Sequence, residues 1–129
     1  YLLEQAILNL VNNAKEALVD SEVLSPEIDV STRILHQEFL GETQPTTLCK
    51  ISVVDNGPGI PHDIKESIFF PMISTKVKGS GLGLSITQGI VSQHRGTVKC
   101  NSEPGKTEFS ILIPVENGVQ EEESKRIHA

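Results

Sequence analysis

Hydrophobic and polar positions recur with two different periods along this chain. From Leu2 to Leu18 apolar residues return every three or four positions, which predicts an amphipathic helix. Residues 82–94 resume that spacing, and Gly96 stands where a left-handed residue would end the helix. Alternation with period two predicts four strands, at residues 28–35, 47–54, 97–101 and 108–114.

Turn residues join these strands into two predicted hairpins, closed by residues 41–45 and by Pro104-Gly105. The segment from Pro61 to Ile68 begins like a helix and is expected to form one or two turns. Residues 70–80 show no period, so we expect a mobile surface loop there. The polar, acidic run 116–129 is expected to be a disordered tail.

Size and charge narrow the possible functions. A chain of 129 residues fits one domain, which we place at residues 1–115. A net charge of -6 disfavours binding to nucleic acid or anionic lipid through the overall field. No run approaches the ~20 apolar residues that span a bilayer, so we expect a cytoplasmic protein. Because the chain opens inside a helical pattern, we expect it to be a piece of a longer protein.

Two asparagines in the first predicted helix form the first candidate site. Asn9 and Asn13 are one helical turn apart, so their side chains project together. Amide oxygens are hard, neutral ligands that suit Mg²⁺, which takes further ligands from phosphates and water. The alternative is a solvated polar face without a ligand.

A carboxylate beside two glycines forms the second candidate site. Asp55 follows an apolar strand, at a point where the chain turns away. Its carboxylate would accept a hydrogen bond from an adenine amino group and repel a guanine carbonyl. Gly57 and Gly59 would let the backbone approach the base closely. The alternative is an Asx turn with a purely structural role.

A glycine-rich run before the second helix forms the third candidate site. Gly79, Gly81 and Gly83 would free backbone N–H groups where the helix dipole favours anions, so phosphates are expected there. The spacing is not that of a P-loop. Lys76 could neutralise phosphate charge, although loop lysines are more often only solvated. The three sites together indicate ATP binding.

These runs, in this order, resemble the catalytic ATP-binding domain of a two-component sensor histidine kinase over roughly residues 2–114. The four matching motifs are the N box (Asn9–Ala14), the G1 box (Val54–Ile60), the F box (Ile68–Lys76) and the G2 box (Gly79–Ile86). The resemblance implies an α/β (α+β) two-layer sandwich of a mixed sheet on helices, the Bergerat fold shared with gyrase. The segment containing Thr107 lacks the family's usual second glycine.

The resemblance also implies roles for individual residues. Asp55 would bind the adenine amino group, Asn13 and Asn9 would hold Mg²⁺, and Lys76 would act with them as a catalytic residue. The nucleotide would contact Asn9, Asn13, Asp55, Gly57, Gly59, Ile60, Phe69, Lys76, Gly79, Ser80, Gly81, Leu82, Gly83, Leu84 and Thr107. Related gyrase and mismatch-repair ATPases carry Glu at the position of Asn9. An amide cannot act as a general base, so Asn9 favours phosphoryl transfer over hydrolysis.

Within the family, the segments 70–75, 92–94 and 107–114 resemble nitrogen-regulation sensor kinases. That resemblance implies an upstream helical dimerisation domain with the phosphoacceptor histidine, a response regulator as partner and control by a PII signalling protein. None of the four histidines is expected to be the phosphoacceptor: His62, although followed by Asp63, stands next to Pro61 in a turn, and His94 is expected to interact with a helix C-terminus. The alternatives are an anti-sigma-factor type serine kinase and a nucleotide-sensing domain without transferase activity.

Overall fold

Two helices and four strands account for the regular structure in the computed structural model, which describes residues 2–38, 46–63 and 83–115. In chain order they are α1 (Leu2–Asp20), β1 (Ile28–Glu38), β2 (Thr46–Asp55), α2 (Gly83–Gln93), β3 (Thr97–Glu103) and β4 (Lys106–Val115). Both long helices and all four strands predicted from periodicity are confirmed, with ends that differ by at most three residues.

Several predicted segments lie outside the described residues. They are the first hairpin's turn at 41–45, the loop at 70–80 and the tail at 116–129. Of the short helix predicted from Pro61 to Ile68, only the first three residues are described, and His62 and Asp63 form a turn.

The four described strands form one sheet in the order β1-β2-β4-β3, and each neighbouring pair is antiparallel. Both predicted hairpins are therefore confirmed. Val53 pairs with Phe109, which pairs with Cys100 on the next strand. Because side chains alternate between the two faces of a strand, these three residues point to the same side.

The helices cover that side of the sheet and enclose one hydrophobic core. On α1 every fourth residue is buried, beginning at Ala6 and ending at Leu18. This helix lies against β2, whereas α2 lies beside α1 and against β3. The buried core consists of Ala6, Leu10, Ala14, Ile51, Val53, Ile90, Val91, Val98, Phe109 and Ile111. The predicted fold class, a two-layer sandwich in which a sheet packs on helices, is confirmed.

Both helices end with a charged residue in the left-handed conformation. At the end of α1 the φ angle of Glu22 is 51°, and the N–H of Val23 donates to the carbonyl oxygen of Leu18. At the end of α2 the φ angle of Arg95 is 61°, and the N–H of Gly96 donates to the carbonyl oxygen of Val91. These bonds are typical of Schellman motifs.

The prediction that Gly96 is the left-handed residue is therefore wrong, because Arg95 takes that conformation one position earlier. Gly96 is required for a different reason. A Cβ atom at this position would collide with the backbone carbonyl oxygen of Leu112 on β4. The glycine thus lets the helix end approach the sheet.

We expect opposite effects from adding a methyl group at two glycines. Gly89 lies on the exposed face of α2, away from both helix ends, and a Cβ there would meet no atom within 4 Å. Gly89→Ala should raise the free energy of unfolding by about 0.5–1 kcal/mol, since glycine is a poor helix former. Gly96→Ala should lower it by about 1–3 kcal/mol through overpacking. Urea unfolding of both variants would measure this, and equal midpoints would contradict the account.

Candidate functional site

The helix-facing side of the sheet changes from apolar to polar at the end of β2. Asp55 is the last residue of that strand and is 3% exposed. It pairs in register with Thr107 on β4, which pairs with Ser102 on β3. By strand alternation these three side chains lie on the same face as the apolar core. We call Asp55, Thr107 and Ser102 the polar row.

The carboxylate of Asp55 is held by the loop that follows it. The backbone N–H of Gly57 donates to Asp55 Oδ1 over 2.9 Å. A Cβ at Gly57 would lie 2.8 Å from that oxygen, so glycine leaves the carboxylate its space. The side chain of Leu18, near the end of α1, lies 3.5 Å from the position that this Cβ would take. The turn after β2 is thus packed between the polar row and α1.

The loop from Gly57 to Ile60 docks on the end of the β3–β4 hairpin. The N–H of Gly105 donates to the carbonyl oxygen of Gly57 over 3.0 Å. The N–H of Ile60 donates to Ser102 Oγ over 2.7 Å. Gly59 has a φ angle of 89°, and a Cβ there would lie 2.9 Å from the carbonyl oxygen of Glu103. Gly59 is therefore needed both for its conformation and for this close approach.

Asn56 fastens the same turn to the connection between α1 and β1. Its Oδ1 accepts a hydrogen bond from the N–H of Glu27, and its Nδ2 donates to the carbonyl oxygen of Ser25, each over 2.8 Å. The backbone N–H of Asn56 also donates to the carbonyl oxygen of Glu27, over 3.3 Å. The loop beside Asp55 is thus fixed from two directions.

The two asparagines of α1 lie at the edge of its buried face. Asn9 and Asn13 are partly buried, while Leu10 and Ala14 between and beside them belong to the core. The Oδ1 of Asn9 accepts a hydrogen bond from Gln5 Nε2 over 2.9 Å. Within residues 2–38, 46–63 and 83–115, no group of three or more His, Cys, Asp or Glu side chains could hold a metal. A metal here would depend on amide oxygens and on its other ligands.

The helix predicted to follow the glycine-rich run begins at Gly83. The fully buried Thr87 donates its hydroxyl to the carbonyl oxygen of Gly83 over 2.9 Å, and Leu84 packs against the core. Six predicted site residues lie outside the described residues: Phe69, Lys76, Gly79, Ser80, Gly81 and Leu82.

The structure brings five predicted site residues together at the end of β2: Asp55, Gly57, Gly59, Ile60 and Thr107. It adds Ser102 and Asn56, which sequence reasoning missed. The signal for Ser102 was present, because a two-residue turn at Pro104-Gly105 places Ser102 opposite Thr107. The expected role of His94 is confirmed, since its Nδ1–H donates to the carbonyl oxygen of Ile90 at the end of α2.

This arrangement can select a base by its hydrogen-bonding edge. An ionised carboxylate only accepts hydrogen bonds, so it favours a donor such as an exocyclic amino group. A buried acceptor that faces another acceptor is left unpaired, which costs about 1–3 kcal/mol. The polar row and its docked loop therefore suit a ligand that presents a hydrogen-bond donor, such as an amino group.

Comparison with known proteins identifies relatives of the whole described fold. Residues 1–117 match the family model described as histidine kinase-, DNA gyrase B-, and HSP90-like ATPase. A sensory histidine kinase/phosphatase NtrB of Vibrio alginolyticus is 39% identical over 113 residues, covering 88% of this chain and 32% of that protein. The NtrB of Klebsiella oxytoca is 41% identical over the same shares. The chain thus spans about a third of these curated relatives.

Solved structures agree with these relatives. The catalytic domain of the histidine kinase ThkA, in a nucleotide-free form, superposes with a TM-score of 0.68 at 32% identity. That match covers 88% of this chain and 66% of the ThkA chain. The mycobacterial sensor histidine kinase MprB gives a TM-score of 0.61 at 26% identity, covering 85% of this chain and 68% of its own. Within the described residues, no helix has the length and hydrophobicity to cross a membrane.

The two side-chain hydrogen bonds of Asn56, to Glu27 and Ser25, form a clamp whose contribution to stability can be tested. Asn56→Asp keeps the acceptor for the N–H of Glu27 but places a carboxylate oxygen against the carbonyl oxygen of Ser25. We expect the free energy of unfolding to fall by about 1–2 kcal/mol, measured by urea titration. Asn12→Asp, on the exposed face of α1, is the control with the same charge change and should lose less than about 0.5 kcal/mol. Equal losses would show that the clamp adds nothing.

Proposed function

This chain belongs to the histidine kinase-, DNA gyrase B- and HSP90-like ATPase family, and we propose that it is the ATP-binding catalytic domain of a sensor histidine kinase. In this role it holds ATP while an imidazole nitrogen of an upstream helical dimerisation domain attacks the γ-phosphorus, and ADP leaves. The NtrB relatives, at about 40% identity over 88% of the chain, support this assignment.

The single observation that carries the proposal is the buried carboxylate of Asp55 at the polar end of an apolar sheet face. Asp55 accepts a hydrogen bond from the adenine amino group, while Thr107 lies beside it in register. Gly57, Gly59 and Ile60 line the base through a loop whose backbone is already fixed to the β3–β4 hairpin. A site fixed before binding loses less entropy when the nucleotide arrives.

The asparagines of α1 fit a magnesium ion that accompanies the nucleotide. Neutral amide oxygens at one edge of the helix would supply one or two ligands to the ion, and phosphate oxygens and water would supply the others. Asn13 is the direct ligand in this proposal, and Asn9 assists it. The bound ion would neutralise phosphate charge during transfer.

Further phosphate contacts are proposed on the residues that precede α2. Lys76 would act on the phosphates as a catalytic residue, and Gly79, Ser80, Gly81, Leu82, Gly83 and Leu84 would line them, with Phe69 beside the nucleotide. Backbone N–H groups at a helix N-terminus favour anions. This part of the proposal rests on the sequence motif and on the start of α2 at Gly83.

The direction of the chemistry follows from Asn9. An amide at this position cannot take a proton from water, so ATP is preserved for transfer to an imidazole nitrogen. The complete protein would then pass the phosphoryl group to a response regulator, in nitrogen regulation under control of a PII signalling protein, and would act in the cytoplasm. The likeness to NtrB supports this wider role.

Asp55→Asn tests the adenine contact. The amide Oδ1 can still accept from Gly57 N–H, so the fold should persist, but the introduced Nδ2 meets the adenine amino group donor to donor. We expect ATP binding to weaken by about 1–3 kcal/mol in calorimetric titration. Asp29→Asn, on the exposed face of the edge strand β1, removes the same charge and should leave ATP affinity unchanged. Unchanged binding in folded Asp55→Asn would remove the adenine role.

Incubation with γ-labelled ATP tests the transferase assignment. This chain alone should bind ATP and acquire no label, because phosphoryl transfer needs an acceptor nitrogen in line with the γ-phosphate. Addition of the dimerisation domain from the full-length protein should give acid-labile label on that domain only. Acid-stable label on serine would favour the anti-sigma-factor type kinase. Rapid ATP hydrolysis without label would favour an ATPase. If neither label nor hydrolysis appears with the dimerisation domain present, although ATP binds, a nucleotide sensor would be favoured.

A further inference from the structure

Ser102 is the residue of the polar row that connects the loop from Gly57 to Ile60 to the sheet. Its Oγ accepts the short bond from Ile60 N–H and lies 3.3 Å from Thr107 Oγ1. Resting on the proposed ATP function, we propose that Ser102 is a positioning residue for nucleotide selectivity, because it directs the hydroxyl proton of Thr107 towards the ligand beside Asp55.

The directions of the hydrogen bonds support this role. A serine hydroxyl has one proton to donate and can accept at its lone pairs. Ile60 N–H occupies one acceptor site of Ser102, and the nearby Thr107 oxygen can take the serine proton. Thr107 is then left with its own proton to donate. The chain of bonds runs from Ile60 through half-buried Ser102 to buried Thr107, and consecutive hydrogen bonds in such a chain polarise and strengthen one another.

The neighbour of Thr107 favours the same direction. Thr107 pairs in register with Asp55, and the Cβ atoms of paired residues lie about 4.5–5.5 Å apart. A carboxylate cannot donate, so Asp55 does not compete with Ser102 as the donor to the Thr107 oxygen. The site then presents an acceptor, Asp55, beside a donor, Thr107.

This donor and acceptor pair distinguishes the two purines. The adenine edge carries an amino donor next to a ring-nitrogen acceptor, whereas the guanine edge carries a carbonyl acceptor next to an N–H donor. Without the Ser102 hydroxyl, Thr107 can rotate and present its oxygen as an acceptor. Loss of Ser102 should therefore weaken the preference for adenine in addition to loosening the loop.

The test compares ATP and GTP dissociation constants, measured on this chain by competition against a fluorescent ATP analogue. In Ser102→Ala the Kd for ATP should rise about three- to tenfold more than the Kd for GTP, which is the effect of about one net hydrogen bond. The ratio of the GTP constant to the ATP constant, which measures the preference for ATP, should fall by the same factor. Ser102→Thr retains the hydroxyl and should keep the ratio within about twofold of the unmodified chain.

Ser110→Ala is the matched control for general destabilisation. Ser110 is a buried serine of β4, and by strand alternation its side chain lies on the opposite face of the sheet. A folding defect lowers the fraction of competent protein for both nucleotides equally, so it leaves the ratio unchanged. The near-isosteric Ser102→Cys, with its weak donor, decides the question if Ser102→Ala does not fold, and should shift the ratio in the same direction.

Two results separate this inference from the proposed function. An unmodified chain that shows no preference for ATP would overturn both. A preference that survives unchanged in folded Ser102→Ala or Ser102→Cys, or an equal loss for ATP and GTP, would overturn the role of Ser102 alone.

Discussion

The antiparallel register of β2, β4 and β3 is the constraint on which the site depends. It aligns Val53 with Phe109 and Cys100 under the helices, and two residues further along it aligns Asp55 with Thr107 and Ser102. A slip of one residue on any of these strands would turn its apolar side chains away from the helices and remove its member from the polar row. The core and the candidate site are therefore specified by the same pairing.

A buried carboxylate needs compensation wherever it occurs. Removing a charge from water carries a penalty of several kcal/mol unless hydrogen bonds stabilise the charged form. Asp55 has the N–H of Gly57 directed at one oxygen, and the surrounding loop is held by Ser102, Gly105 and Asn56. These contacts exist before any ligand arrives. Folding thus fixes the position of the Asp55 carboxylate before any ligand binds.

Two glycines of the motif after β2 have roles within the protein itself. The sequence interpretation assigned Gly57 and Gly59 to close approach by a ligand. In the structure Gly57 leaves room for the carboxylate of Asp55, and Gly59 combines a positive φ angle with contact to the backbone of Glu103. Their requirement would persist without nucleotide. The motif therefore docks the loop on the β3–β4 hairpin independently of the proposed contact with the base.

The amino-acid sequence by itself determined the local elements and the chemistry of the site. Periodicity predicted α1, α2 and the four strands, because burial on one face imposes spacings of three to four or of two residues. The order of the motifs identified Asp55 and Asn13 as candidates and indicated the family, which the family match confirms. Sequence also predicted both hairpins through their connecting residues, since these turns involve residues close together in the chain.

Only the tertiary structure decided which distant groups meet. Asn56 bonds to a connection 29 residues earlier, and Ser102 bonds to Ile60 from 42 residues away. The conformational preferences of residues and their near neighbours in the chain do not determine such contacts. The same limit explains the error at Gly96, where spacing suggested a helix cap but contact with Leu112 on β4 is what excludes a side chain. The sequence thus identified the candidate binding groups, and the packing of strands and loops determined which residues surround them.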